Sequence, residues 1–163
     1  MHLAYVALGA NLADPVEQVR AALVALTRLP ESRLLRASSL YRTTPVGIHG
    51  QPDFINAVAA LETTLSPQAL LTALFAIEAQ FGRRRDFFRA PRTLDLDLLL
   101  FDDLIIDSPE LQLPHPRMHL RAFVMAPLIE IAPECRIPGR GDAAAWLPAV
   151  SMQSIDRLKG PID

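Results

Sequence analysis

Two helices that each open on a capping residue followed by proline, set among short apolar strands, limit this chain to few folds. The segments are Asp14-Pro15-Val16-Glu17 and Ser66-Pro67. Asp and Ser can accept a bond from a free N–H of the first turn, and proline suits that turn because its missing N–H would go unbonded there anyway. Glu17 is placed to reach back to the Asp14 cap. Val16, Val19, Leu23 and Leu26 follow the first start at helical spacing, and Pro30 marks the exit. Leu70, Leu71, Leu74, Ile77 and Phe81 follow the second, with Gly82 where a helix end favours glycine.

Around these helices, residues 3–8, 34–41, 54–62 and 94–101 read as strands. Phe54, Asn56, Val58 and Ala60 share one face of the third. The order β-α-β-β-α-β is that of an α+β, ferredoxin-like core, an antiparallel sheet flanked by helices. Extra elements follow at the C-terminal end: a turn at Asp102-Asp103 into residues 104–106, loop over 108–118, a helix over 119–132 broken at Pro127, and a short helix near 143–147. Residues 43–52 are loop by composition. The chain has 163 residues and no linker or repeat, so residues 1–163 are expected to form a single domain.

Half of the residues are hydrophobic and the formal net charge is -2, which excludes a disordered polyelectrolyte. The lone cysteine, Cys135, can form no internal disulfide or cysteine-rich zinc site, so a cytoplasmic setting is expected. It reads as a small buried or half-buried residue after a helix rather than a catalytic thiol. The N-terminus lacks a basic region and carries Asn11 and Asp14 early, unlike a signal peptide. No apolar run approaches the ~20 residues of a membrane-spanning helix.

The segment Thr93-Leu94-Asp95-Leu96-Asp97-Leu98 carries the most chemistry. On a strand, Asp95 and Asp97 stand on one face, about 7 Å apart at their Cα atoms, with Leu94, Leu96 and Leu98 facing a core. Paired carboxylates repel each other, and a cation relieves the repulsion. Mg²⁺ suits them because it accepts a few carboxylates and completes its octahedron with water and phosphate oxygens. An ordinary wet strand face gives the same alternation, so the pair alone does not decide.

Its neighbours add weight. Arg83, Arg84, Arg85, Arg89 and Arg92 fall within ten residues just before the strand. Arginine binds phosphate bidentately and keeps its charge. A basic loop beside a Mg²⁺ site suits phosphoryl or pyrophosphoryl transfer, which depends on positioning and charge neutralisation. Taken alone, the loop would be a solvated basic surface. His115, in Pro114-His115-Pro116, and Arg121 could both reach a polyphosphate. Each could equally be a loop histidine bonded to a carbonyl and a helix-surface charge. Neither a Walker A loop nor the protein-kinase motif set is present.

Five blocks remain: Tyr5-Val6-Ala7-Leu8-Gly9-Ala10-Asn11-Leu12, Ser39-Leu40-Tyr41-Arg42-Thr43, Gln51-Pro52-Asp53-Phe54-Ile55-Asn56-Ala57, Pro91-Arg92-Thr93-Leu94-Asp95-Leu96-Asp97, and Pro114-His115 with Arg121-Ala122-Phe123. In their order and spacing they resemble the 6-hydroxymethyl-7,8-dihydropterin pyrophosphokinase family. The resemblance implies transfer of pyrophosphate from ATP to the pterin hydroxymethyl group in folate biosynthesis, with release of AMP. It implies two Mg²⁺ ions on Asp95 and Asp97, and ATP contacts from Glu78, Arg83, Arg85, Arg92, His115 and Arg121. Among these, Arg83, Arg92, His115 and Arg121 would be catalytic together with Asp97, the nearest candidate for a general base. The pterin would lie between Phe54 and Phe123, read by Asn56 and the backbone around Thr43–Val46. The partners implied are these small molecules, not nucleic acid or a membrane, and the chain is expected to act as a monomer.

Phe88-Arg89-Ala90 departs from the Arg-Trp-Gly more often found before Pro-Arg in that family, so an aromatic lid would come from Phe87 or Phe88 or be lost. Glu110 and Gln112 stand where relatives can carry nucleotide-binding residues. Two other classes fit parts of the pattern. A metal-dependent phosphohydrolase or simple kinase could use the same Asp pair and would release free phosphate or ADP. A non-enzymatic ferredoxin-like RNA- or ligand-binding module would turn over no ATP, and the near-neutral charge and lack of an Arg-Gly-Phe-type strand motif weigh against it.

Overall fold

The computed structural model describes residues 1–12, 14–44, 52–82 and 94–158. Its main sheet contains β1 (His2–Ala10), β2 (Ser32–Ala37), β3 (Tyr41–Thr43), β4 (Phe54–Thr63), β5 (Asp95–Phe101) and β10 (Ile155–Arg157). The strand order is β10-β3-β4-β1-β5, with β2 beside β4, and every pairing is antiparallel. With β10 set aside, this is the ferredoxin-like arrangement expected from the element order. Two small hairpins complete the strands, β6 (Ile106–Asp107) with β7 (Gln112–Leu113) and β8 (Arg136–Ile137) with β9 (Gly141–Asp142).

Both faces of the sheet are covered, so its central strands are apolar throughout instead of alternating. On one face lie α1 (Pro15–Leu26) and α2 (Pro67–Gln80). They pack with Ala4, Val6, Leu8, Ile55, Ala57, Leu94, Leu96 and Leu98. On the other lies α3 (Ala122–Ile131), against Tyr5, Ala7, Val58 and Ala60. The β1–β5 register shifts between Tyr5 and Val6, which pair with Leu100 and Leu98. Leu99 is the extra residue of this bulge, and it moves Leu99 and Leu100 into the α3-side core.

The α2 start forms as expected, the Ser66 hydroxyl accepting from the Ala69 N–H at 3.1 Å, and Gly82 takes φ 86° just past the helix end. The α1 start differs. Asp14 sits at φ 60° and makes no side-chain cap bond, while Glu17 pairs with Arg20 instead of reaching back.

The strand expected over 34–41 is two strands, because side chains take over part of the ladder between them, although the Ser38 N–H still bonds the Val58 carbonyl at 2.9 Å. Ser38 Oγ accepts from the Val58 N–H at 2.9 Å, and the Ser39 N–H turns to the Glu130 carboxylate. Pro127 does not break α3. Pro127 forgoes the bond that its N–H would have made to the Phe123 carbonyl one turn back, and the helix continues past it to Ile131. A 3₁₀ turn over Met118–Leu120 leads into that helix, and a longer 3₁₀ segment covers Ala143–Val150. β7, within the stretch expected as loop, and β8, β9 and β10 were not anticipated.

Candidate active site

Opposed residues in an antiparallel sheet present their side chains to the same face. The register therefore lays out a floor on the α3 side. Tyr41 pairs with Asn56, Asn56 with Gly9, and Gly9 with Asp95. The next row runs Val58, Ala7, Asp97, and on the other side Thr43 pairs with Phe54. Thr43, Phe54 and Asn56, expected at the pterin, thus share a face with Asp95 and Asp97, expected at the metal. Asn56 and Asp95 are two strand spacings apart, about 10 Å.

Gly9 keeps the middle of that floor open. A Cβ there would stand 2.9 Å from Asn56 Nδ2, closer than real carbons approach. Asn56 is only 5% exposed, and its Oδ1 accepts the Thr43 hydroxyl at 3.0 Å. That bond orients the amide and leaves its NH₂ toward Gly9. Gly9 falls just past the strand expected over residues 3–8 and belongs to the first block of the resemblance. A glycine inside a strand at a close approach was the signal available.

The carboxylate strand is held from behind by Glu78. Its Oε2 accepts the Leu96 N–H at 2.7 Å, and the residue is 1% exposed. Glu78, expected among the ATP contacts, thus also lies against the β5 backbone.

His115 is tied to the same strand, its N–H donating to the Leu99 carbonyl at 2.9 Å. Its Nδ1 accepts the Arg117 N–H at 3.1 Å, so the neutral ring carries its proton on Nε2. Burial lowers its pKa; the nearby Asp97 carboxylate raises it, and Arg121 and Arg117 lower it further, so the net shift is down. His115 is thus a neutral donor near pH 7 and shares an electrostatic neighbourhood with Asp97 and Arg121. It also lines, with Asp97, Leu71, Phe75, Glu110 and Gln112, a cavity of about 410 Å³ beside the edge strand β5. Leu71 and Phe75 were not expected there, because a helix position between core and cavity looks like core in the sequence.

Arg121 stands at the N-cap of α3, with its guanidinium 5.5 Å from the centre of the Phe123 ring. Cys135 is half-buried after α3, and burial pushes its thiol up to about 11, as suits an inert residue. Val46, Arg83, Arg84, Arg85, Phe87, Phe88, Arg89 and Arg92 lie outside the described residues.

Asp95 and Asp97 are both half-buried. Among the described residues, no three His, Cys, Asp or Glu side chains form a metal cage. Two hard carboxylates at an open face still fit a cation that draws its remaining ligands from water and phosphate. No described helix is long and apolar enough to cross a membrane.

A family model described as 7,8-dihydro-6-hydroxymethylpterin-pyrophosphokinase matches residues 5–133. A Pseudomonas aeruginosa protein named 2-amino-4-hydroxy-6-hydroxymethyldihydropteridine pyrophosphokinase is 51% identical over 156 residues, covering 96% of each chain. A Haemophilus influenzae protein of the same name is 49% identical over 138 residues, covering 85% of this chain and 86% of its own. Among solved structures, a Plasmodium falciparum HPPK-DHPS A437G with SDX-DHP superposes with a TM-score of 0.74 at 15% identity. It is covered to 45% of its length by 91% of this chain, which therefore spans less than half of that larger protein.

Proposed function

Because the chain belongs to the 7,8-dihydro-6-hydroxymethylpterin-pyrophosphokinase family, we propose that the floor between Asn56 and Asp97 is where a pterin alcohol meets the β-phosphate of ATP. The enzyme transfers pyrophosphate from ATP to the hydroxymethyl group of 6-hydroxymethyl-7,8-dihydropterin, a step of folate biosynthesis. The observation that carries the placement is the shared sheet face. Asn56 and Thr43 lie at one end of it, Asp95 and Asp97 at the other, and Gly9 keeps the space between them clear.

In this reading the pterin edge is read by the fixed Asn56 amide, with Phe54 and Phe123 stacking on the ring. The pterin oxygen attacks the β-phosphorus, the bond from that phosphorus to the bridging oxygen of AMP breaks, and the hydroxyl proton leaves to Asp97 or to water. His115 donates from Nε2 to a phosphate oxygen. Arg121, once drawn off the Phe123 ring, and Arg83, Arg85 and Arg92 neutralise the phosphate charge. Asp95 and Asp97 would hold Mg²⁺, two ions in the fullest form of the site, and the metal would supply charge neutralisation to the polyphosphate. Residues 1–163 act as one cytoplasmic, monomeric pyrophosphokinase domain.

The test is AMP formation from ATP and Mg²⁺ with and without 6-hydroxymethyl-7,8-dihydropterin. Pterin-dependent AMP with no ADP is expected. ADP or free phosphate in its place would make the site that of a simple kinase or hydrolase.

A further inference from the structure

Arg121 and Phe123 begin a helix whose own N-cap side chain makes no capping bond. The first helical N–H, that of Ala122, is one of the donors a helix leaves without an internal partner. It is met from 31 positions further along the chain: Gln153 Oε1 accepts it at 2.9 Å. The other end of the same amide, Nε2, donates to the Leu120 carbonyl at 2.8 Å. One side chain therefore grips the peptide groups on both sides of Arg121. The Arg121 N–H goes to the Met118 carbonyl at 3.3 Å, and its own carbonyl accepts from Val124 and Met125 at 3.1 and 2.9 Å.

Gln153 is itself fixed. Its N–H bonds the Val150 carbonyl at 3.1 Å. Two residues later the chain enters β10, paired with β3 through Ile155–Thr43 and Arg157–Tyr41. Gln153 is exposed, and an exposed glutamine ordinarily keeps its rotamer freedom. Holding both amide ends on backbone restricts that freedom and makes the start of α3 rigid. The residue lies beyond the 5–133 stretch that the family model matches.

We propose that Gln153 is a positioning residue for substrate binding, setting where Arg121 and Phe123 point by clamping Leu120 and Ala122 around them. The proposal rests on the reading of Arg121 and Phe123 as phosphate and pterin contacts. Without the clamp, the first turn of α3 frays, the stacked pair loses its fixed origin, and the reacting groups are held less well in line. Misplacement by about 1 Å can cost up to about a hundredfold in rate.

The experiment uses the full chain and follows single-turnover AMP release from ATP, Mg²⁺ and the pterin alcohol with enzyme in excess. The variants are Q153L, Q153E, R121A, the R121A/Q153L double variant, and M152A as a control at an exposed neighbour. Q153L is expected to slow turnover about tenfold and to weaken pterin binding, with M152A unchanged. Q153E keeps the acceptor for Ala122 and loses the donor to Leu120, so it falls between; should Q153L fail to fold, it carries the same comparison. In the R121A background, Q153L should add less than about a twofold further loss, the mark of two residues acting as one unit.

A full tenfold loss persisting in that background, with pterin binding no weaker than in R121A alone and so no displaced Phe123 to account for it, would show mere destabilisation and overturn the proposal. So would wild-type turnover in Q153L alongside a crippled R121A. Near-normal turnover in R121A would instead remove Arg121 from the site, and the proposal with it.

Discussion

The Glu78 carboxylate accepts the Leu96 N–H at 2.7 Å, and Leu96 lies between Asp95 and Asp97. A buried acid on α2 thus fixes the backbone from which both site carboxylates project. Removing the acceptor leaves a buried N–H unbonded, which costs about 1–3 kcal/mol. Glu78→Ala is expected to lose about that much in urea unfolding and to lower turnover as β5 loosens. Glu78→Gln keeps an acceptor and should lose clearly less. Equal losses in the two variants would contradict the role given to this bond.

Gly9 sits beside Asn56 and Asp95 in adjacent strands. In Gly9→Ala the new Cβ would meet Asn56 Nδ2 at 2.9 Å. That contact is with the end of a side chain, so the fold tolerates it and the amide gives way. The Thr43–Asn56 bond then breaks or tilts. The expected result is a KM for the pterin alcohol raised at least about tenfold, roughly the 1.4 kcal/mol of one hydrogen bond. The KM for ATP and the unfolding midpoint should stay near wild type. A raised KM for ATP alone would place the pterin elsewhere.

What was legible in the sequence was local. Ser66-Pro67 announces a helix because the cap and its donor are three residues apart. The alternation of Asp95 and Asp97 with leucines announces a strand with one polar face. The unread parts depend on distant partners. Ser39 leaves the ladder because Glu130, 91 positions away, takes its N–H, and nothing near Ser39 says so. β10 is three residues long, too short for periodicity, and exists because Tyr41–Thr43 offers it an edge. Gly9 needed the register before its closeness to Asn56 could be known. Glu78 is similar: nothing near it in the sequence says that it bonds the Leu96 N–H, 18 positions away.

Asp97 is half-buried on the site face, with its backbone held by the β1 ladder. Replacing it should leave the sheet intact while removing an oxygen ligand from the proposed Mg²⁺ site. Asp97→Ala is expected to lower turnover by at least about a hundredfold, the scale of losing one preorganised electrostatic group. Its circular dichroism spectrum and unfolding midpoint should remain close to wild type. Mg²⁺ titration of the residual activity should shift to higher concentration. Near-normal turnover in the folded variant would defeat the metal assignment.

Glu130 on α3 ties the C-terminal strand to β3. Its carboxylate accepts from the Tyr41 hydroxyl at 2.6 Å, the Ser39 hydroxyl at 2.8 Å and Arg157 Nη2 at 3.1 Å. Burial alone would raise its pKa, but the hydrogen bonds from Tyr41 and Ser39 and the charge of Arg157 outweigh it and hold the carboxyl below the usual range. An unfolded glutamate titrates near about 4.3. The folded state therefore binds this proton less readily than the unfolded chain does. The stabilisation is complete above that value and is lost as pH falls from there through the lower folded pKa. Wild-type unfolding free energy should drop as pH falls below the unfolded value, and Glu130→Gln should start lower at neutral pH and lose less on the same acid limb. Because Tyr41 and Arg157 hold β3, Glu130→Gln should also raise the pterin KM through Thr43 while sparing that of ATP. Parallel acid limbs for the two proteins would mean that other carboxylates govern acid unfolding and that this cluster is not the tie between α3 and the edge of the sheet.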